Sequence, residues 1–164
     1  MKNFDWTKFT RRTAVKSSLP VLYDAWAKRA GLEKWFLKRA AFFDKDGKPV
    51  DESAPVQQDF TYEWNWFLYE PTEKGKITQA NGKDFLQFTF AGECLVEIRL
   101  SEQDGYVIVE LTQKNIPTDD ESKQQIRLGC DSGWQFYMVN LKSVFEGGLD
   151  LRNKDVRFRG LMNN

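Results

Sequence analysis

Two stretches of the chain concentrate aromatic side chains. One runs through Tyr62, Trp64 and Trp66 to Phe88 and Phe90; the other is "GWQFYMVNLKSVFEGG", with Trp134, Tyr137 and Met138. If they face each other, such rings either fill an ordinary core or line a site for an apolar or amphipathic molecule. A site of the second kind also needs a few inward polar groups to orient its ligand. Gln113, Tyr62 and Tyr137 are the candidates for that role. On sequence, both readings stand.

Composition argues against most catalytic designs. There is no histidine, which removes the commonest general base and every Ser-His or Cys-His triad. Cys94 and Cys130 alone cannot complete a thiolate zinc site, and buried free thiols are expected. No phosphate-binding glycine motif or calcium loop is present. Glu63, Glu97 and Glu110 alternate outward, with Arg99 beside Glu110, and read as solvated charge. Asp59 and Glu70 flank the aromatic strand with nothing to raise them above background. No catalytic residue, cofactor or metal is expected.

Lys plus Arg and Asp plus Glu both number 24, so no net charge favours a nucleic-acid partner or an anionic membrane. Arg11, Arg12 and Lys16, and Arg152, Lys154, Arg157 and Arg159, read as a solvated face and a polar tail. The opening residues lead to the expectation of no export signal, and no run approaches the ~20 apolar residues of a membrane span. A soluble cytoplasmic protein is expected, with one domain over residues 1–150 and a tail over 151–164.

These side chains need elements to position them. "KFTRRTAVK", residues 8–16, reads as a first strand. Ser18 and Pro20 open a helix, and Gly31 is expected to split "SSLPVLYDAWAKRAGLEKWF" into two short ones. A strand at 38–43 and a long loop over 44–59 follow. In "EQDGY", Asp104-Gly105 makes a two-residue hairpin that pairs Gln103 with Tyr106, Leu100 with Val109, Ile98 with Leu111 and Arg99 with Glu110. Asn81-Gly82 predicts a second such hairpin, pairing Ile77 with Leu86 and Thr78 with Phe85. Ala91 to Glu93 predicts a three-residue turn, and Pro71 to Lys74 a four-residue turn.

One sheet face then carries Tyr62, Trp64, Trp66, Leu68, Ile77, Leu86, Phe88, Phe90, Val96, Ile98, Leu100, Val107, Val109 and Leu111. The other carries Glu63, Asn65, Lys76, Gln87, Glu97, Arg99, Glu110 and Thr112 and is expected to be solvated. Residues 119–147 lack proline, and Ile126, Cys130, Trp134, Tyr137, Met138, Leu141, Val144 and Phe145 form the stripe of an amphipathic helix that covers the apolar face. Gly129 and Gly133 beside that stripe are read as close packing or a later helix start, against room for a ligand. The fold class is α+β.

That order resembles the helix-grip superfamily, which includes START lipid-binding domains and the birch-pollen-allergen fold and is also called SRPBCC. Within it the chain looks most like the AHSA branch, named for activators of the heat-shock protein 90 ATPase. The residues that carry the likeness are "LYDAWAKRAGLEKWF" (22–36), "LTQKNIP" (111–117) and "GWQFYMVNLKSVFEGG" (133–148), with "DFLQFTF" and "VEIRLSEQDGYVIVELTQ" matching in strand rhythm. The likeness covers residues 8–150. It implies a curved antiparallel sheet of about seven strands wrapped around a long C-terminal helix.

The resemblance also implies a cavity between helix and sheet that holds an apolar or amphipathic, lipid-like molecule in many relatives. Its lining here is expected from Tyr62, Trp64, Trp66, Phe88, Phe90, Val96, Ile98, Val109, Leu111, Gln113, Trp134, Tyr137, Met138 and Leu141. The alternative is a co-chaperone-like interaction module, using the first strand's edge, the 44–59 loop or the tail. Eukaryotic activators have a separate chaperone-contacting domain and an Asn- and Trp-rich motif that find no match here, so chaperone activation does not carry over.

Overall fold

A computed structural model describes residues 3–161. The elements are β1 (Phe9–Val15), α1 (Leu19–Ala27), α2 (Arg29–Trp35), β2 (Arg39–Phe43), β3 (Thr61–Asn65), β4 (Glu73–Ala80), β5 (Phe85–Thr89), β6 (Leu95–Gln103), β7 (Tyr106–Lys114), α3 (Asp120–Ser122) and α4 (Gly129–Phe145). The strands form one antiparallel sheet in the order β1-β7-β6-β5-β4-β3-β2. The α+β helix-grip architecture expected from the sequence is the one observed.

The β6–β7 hairpin has the expected register, from Gln103 opposite Tyr106 to Ile98 opposite Leu111. Its loop residues Asp104 and Gly105 sit at φ 51° and 79°, the left-handed pair that a type I′ turn requires. Arg99 does face Glu110, but Glu110 is taken by Arg12, and the Arg99 guanidinium lies 4.4 Å from the centre of the Phe85 ring. The three-residue turn at Ala91 to Glu93 is also present, closed by Phe90 N–H on the Cys94 carbonyl.

Two other turns differ from expectation. At Asn81 the side-chain oxygen accepts hydrogen bonds from the backbone of Lys83, Asp84 and Phe85, so the loop is longer than two residues. Ala80 then pairs with Leu86, Ile77 pairs with Phe88 instead of Leu86, and a bulge between Ile77 and Gln79 replaces the Thr78–Phe85 pair. The extra residue keeps Ile77 inward. Between β3 and β4, Trp64 pairs with Glu73 and Tyr62 with Gly75. Trp66 and Leu68 therefore lie in the connection, Leu68 at φ 57°, not in a strand. On the outer face Gln87 is buried, not solvated, beneath bonds to Thr78, Gln79 and Glu97.

Gly31 does not divide the helices. The break falls at Lys28, whose backbone is extended, and Gly31 lies inside α2. A Cβ on Gly31 would sit 2.1 Å from the Asp24 carbonyl oxygen, so glycine is there to let α2 pack tightly on α1. Ser18 has the extended backbone of an N-cap but makes no side-chain capping bond.

The last helix starts when Asp119 accepts the Ser122 N–H at 2.9 Å. It passes through a π-helical stretch, Lys123–Leu128, before α4. Gly147, at φ 79°, ends it. Gly129 and Gly133 mark neither a tight contact nor a late start: a Cβ on Gly133 would meet nothing within 4 Å, and one on Gly129 only an ordinary neighbour.

Two of the basic residues assigned to solvent point inward. Arg11, opposite Leu111, donates to buried Asp131 at 2.7 Å, and Arg127 donates to the same carboxylate at 2.9 Å. Arg152 is buried, and its guanidinium donates to the carbonyls of Glu33, Lys34 and Leu37 and to Asp150. The Glu33 and Lys34 carbonyls are open acceptors left in the last turn of α2, and Leu37 follows just after it. Burial opposes charge at Asp150, but the bonds from Arg152, Lys154 and Asn140 prevail and hold its carboxyl far below the usual range.

The two glycines make opposite predictions. Gly31→Ala lowers stability by more than about 2 kcal/mol because backbone must shift. Gly133→Ala raises it by about 0.5–1 kcal/mol, since the methyl finds open space and the helix gains propensity. Urea titration of the two variants checks both signs.

Candidate functional site between helix and sheet

The expected lining comes together in one place. Tyr62, Trp64, Phe88, Val96, Ile98, Val109, Leu111, Gln113, Trp134, Tyr137, Met138 and Leu141 are buried, and Trp66 and Phe90 are half-buried against them. Trp66 reaches the group from the β3–β4 connection.

The space is closed by rings in contact. Phe90 meets Trp134 across the gap with centroids 5.2 Å apart. Phe36, which caps the C-terminus of α2, fills what remains. Its ring stacks on Trp134 at 5.0 Å and meets Trp64 at 5.6 Å, Trp66 at 5.4 Å and Tyr137 at 4.8 Å, all edge-on. Phe36 was absent from the sequence-derived lining because its element lies outside both the sheet and the long helix. Its place after the apolar Trp35 was the available signal.

Outside this cluster, a surface groove of about 460 Å³ is lined by Lys38, Arg39, Asn65, Trp66, Leu68, Tyr69, Glu70, Val156 and Arg159. Trp66 is thus the wall between the groove and Phe36.

Polar groups in the cluster are incompletely satisfied. Gln113 is fully buried and accepts the Trp134 indole N–H at 3.0 Å. Its amide nitrogen has no hydrogen-bond partner, and neither do the indole nitrogens of Trp64 and of Trp26, whose ring centre lies 6.0 Å from that of Trp134. Buried donors without acceptors are uncommon in native proteins. Burial pushes the thiols of Cys94 and Cys130 up, Cys130 to about 11; the nearby Gln113 amide only partly offsets this without reaching a regular bond. Both stay protonated at neutral pH and are poor nucleophiles. Burial likewise raises Tyr137 to about 12 and Tyr62 further still. The Tyr62 hydroxyl donates to the Thr89 carbonyl at 2.5 Å.

One titratable group here was not anticipated. Glu73 stands directly opposite Trp64, so the two share the inner face. The expected four-residue turn at Pro71 to Lys74 had placed it in a loop. Its carboxylate accepts the Ala91 N–H at 2.7 Å. Burial raises its pKa, and that hydrogen bond only partly counters the effect. Among the described residues no group of three or more Cys, Asp and Glu side chains is placed to hold a metal ion.

A carboxyl with a raised folded-state pKa adds no penalty when protonated in both states, and destabilises the fold once pH rises through that pKa. Glu73→Gln keeps an acceptor for Ala91 and removes the charge. It melts higher than the parent at pH 7–8, by about 1–3 °C, and the two converge at pH 3–4. Thermal melts across this range check the sign.

Known proteins place this arrangement. Solved structures with the same fold include a protein from Staphylococcus saprophyticus, 18% identical, covering 88% of this chain and 96% of that one with a TM-score of 0.69. The Aha1 dimer from Colwellia psychrerythraea is 19% identical, covering 86% and 97%, at 0.65. An AHSA1-like protein from Aeromonas hydrophila is 15% identical, covering 85% and 92%, at 0.60. No curated protein sequence matches the chain. Among the described residues no helix is long and apolar enough to cross a membrane. The family model for "Activator of Hsp90 ATPase homolog 1-like protein" matches residues 16–146, and the chain belongs to that family, the AHSA-like branch of the START-like superfamily.

Proposed function

We propose that the chain is a cytoplasmic, non-catalytic START-like domain that binds a small apolar or amphipathic molecule between α4 and the sheet. The domain spans residues 1–150, and residues 151–164 are its tail. The observation that carries this reading is the set of three buried, unpartnered N–H donors, on Trp26, Trp64 and Gln113, within an aromatic lining. A ligand oxygen supplies the acceptor that the protein does not, and the rings supply apolar contact. The Phe36 ring turns aside as the ligand enters, and entry runs from the groove past Trp66.

The test uses native mass spectrometry of freshly purified protein and Nile red titration of the parent and Phe36→Ala. Truncating Phe36 costs about 3–5 kcal/mol of stability, so folding is verified first by circular dichroism. The parent is expected to retain a co-purified molecule or bind the dye, and the variant to bind several times more tightly. An empty mass spectrum with no dye binding by either protein overturns the reading.

A second reading, a protein-interaction module with a chaperone partner, has its own observation. The segment after α4 exposes Leu149, Leu151, Val156, Phe158 and Leu161, beyond the 16–146 family match. Replacing Val156, Phe158 and Leu161 together by Ser leaves the Arg152 anchor intact. Loss of capture by purified heat-shock protein 90 in that variant supports this reading; no capture by the parent removes it.

A further inference from the structure

We propose that Glu73 is the charge-recognising residue of the helix–sheet pocket, and that the ligand presents a protonated or quaternary amine to it. This deepens the pocket reading above and rests on it.

The register places the carboxylate. Glu73 pairs with Trp64, and directly opposed side chains on one face have Cβ atoms about 5 Å apart. Its bond to Ala91 N–H at 2.7 Å sets it beside Phe90, the residue before Ala91. The Trp64 and Phe90 rings are 6.4 Å apart, and Phe90 and Trp66 are 6.3 Å apart. Glu73 therefore lies against the rim of the aromatic cluster, where Trp66 and Phe90 are half-buried. Ala91 holds its amide there from a left-handed backbone position, φ 54°, which a non-glycine residue adopts seldom.

Nothing in the described protein neutralises this charge. No salt bridge involving Glu73 occurs among the described residues. The lysines that flank it along β4 belong to the other face: Lys74 pairs with Glu63 at 2.7 Å and Lys76 with Asp59 at 2.9 Å. Between them Gly75 leaves room for the Tyr62 ring, whose carbon and oxygen atoms come within 2.5–2.6 Å of where a Cβ would be. The Tyr62 proton is already committed to Thr89. Apart from the Ala91 bond, the carboxylate keeps its acceptor capacity.

The surroundings select the sign of the ligand. Aromatic faces are electronegative, so an anion gains nothing from Trp64, Trp66 and Phe90 and is repelled by Glu73. An organic cation is attracted by both the rings and the carboxylate, most strongly when desolvated. The nearby unpartnered Trp64 N–H accommodates an ether or carbonyl oxygen next to the amine. An amphipathic amine thus satisfies charge, donor and apolar surface together.

The experiment compares three ten-carbon probes of equal chain length by isothermal titration: decyltrimethylammonium, decan-1-ol and decanoate. Each is titrated into the parent and Glu73→Gln. The parent is expected to bind the cation about tenfold more tightly than the alcohol, with decanoate weakest. Glu73→Gln is expected to lose the cation's advantage while alcohol binding stays the same. In carboxyl-labelled protein, the Glu73 carbon-13 titration shifts to lower pH with the cation bound and stays put with the alcohol. Equal binding of cation and alcohol, or an unchanged preference in Glu73→Gln, overturns the Glu73 assignment and leaves the pocket standing. Failure of all three probes to bind overturns the pocket and the inference with it.

Discussion

Helix α4 is pinned at its two ends by two sets of polar contacts, one to the sheet and one to α2 and the segment after α4, and the enclosed aromatic space depends on both. At one end Asp131 takes charge-assisted bonds from Arg11 on β1 and Arg127 one helical turn away. At the other, Asn140 donates to the Trp35 carbonyl at 2.6 Å and accepts the Leu151 N–H at 2.7 Å. Apolar burial alone is non-directional and would let the helix slide along its stripe. Groups that lose their partners on sliding do not allow it, because an unpaired buried charge is expensive. The segment after α4 extends this pin, since Arg152 closes the carbonyl end of α2.

Fixing α2 also fixes Phe36, and Phe36 sets the character of the interior. The sheet and helix contribute rings from both sides, but it is the ring at the end of a short helix that bridges Trp134 and Trp64. The interior is a closed aromatic stack in which three N–H donors go unanswered. Packing quality and polar dissatisfaction thus coexist in the same few side chains. Fully packed cores rarely retain such donors, which is why the packing alone does not account for the choice of Trp26, Trp64 and Gln113.

Much of the architecture was legible in the residues. Alternation along β6 and β7 specified a register because a one-residue slip would expose the whole apolar set, and Asp104-Gly105 specified the turn. The helix stripe from Ile126 to Phe145 was equally plain. Legibility failed where a side chain competed with the backbone. Asn81 bonds three successive amides and lengthens its loop, which no dipeptide rule anticipates. The β3–β4 connection is long and irregular, so parity of the turn could not place Trp66 or Glu73. Of the fourteen expected lining residues, those on regular strands and the helix were readable from period alone. Phe36 and Glu73 were not, because each is positioned by a turn or helix end.

The sequence by itself determined the faces: which side of the sheet is apolar, which stripe of the last helix meets it, and that no histidine-based chemistry is available. These follow from period and composition, which are local properties. Only the tertiary structure decided the fate of the charges. Arg11 and Arg152 look like surface cations until acceptors over a hundred residues away in sequence come within hydrogen-bond distance. Glu73 looks like a loop residue until the strand register turns it toward Trp64. The energy of a charge depends on its distance to partners and its distance from water, and neither distance exists before the chain is folded.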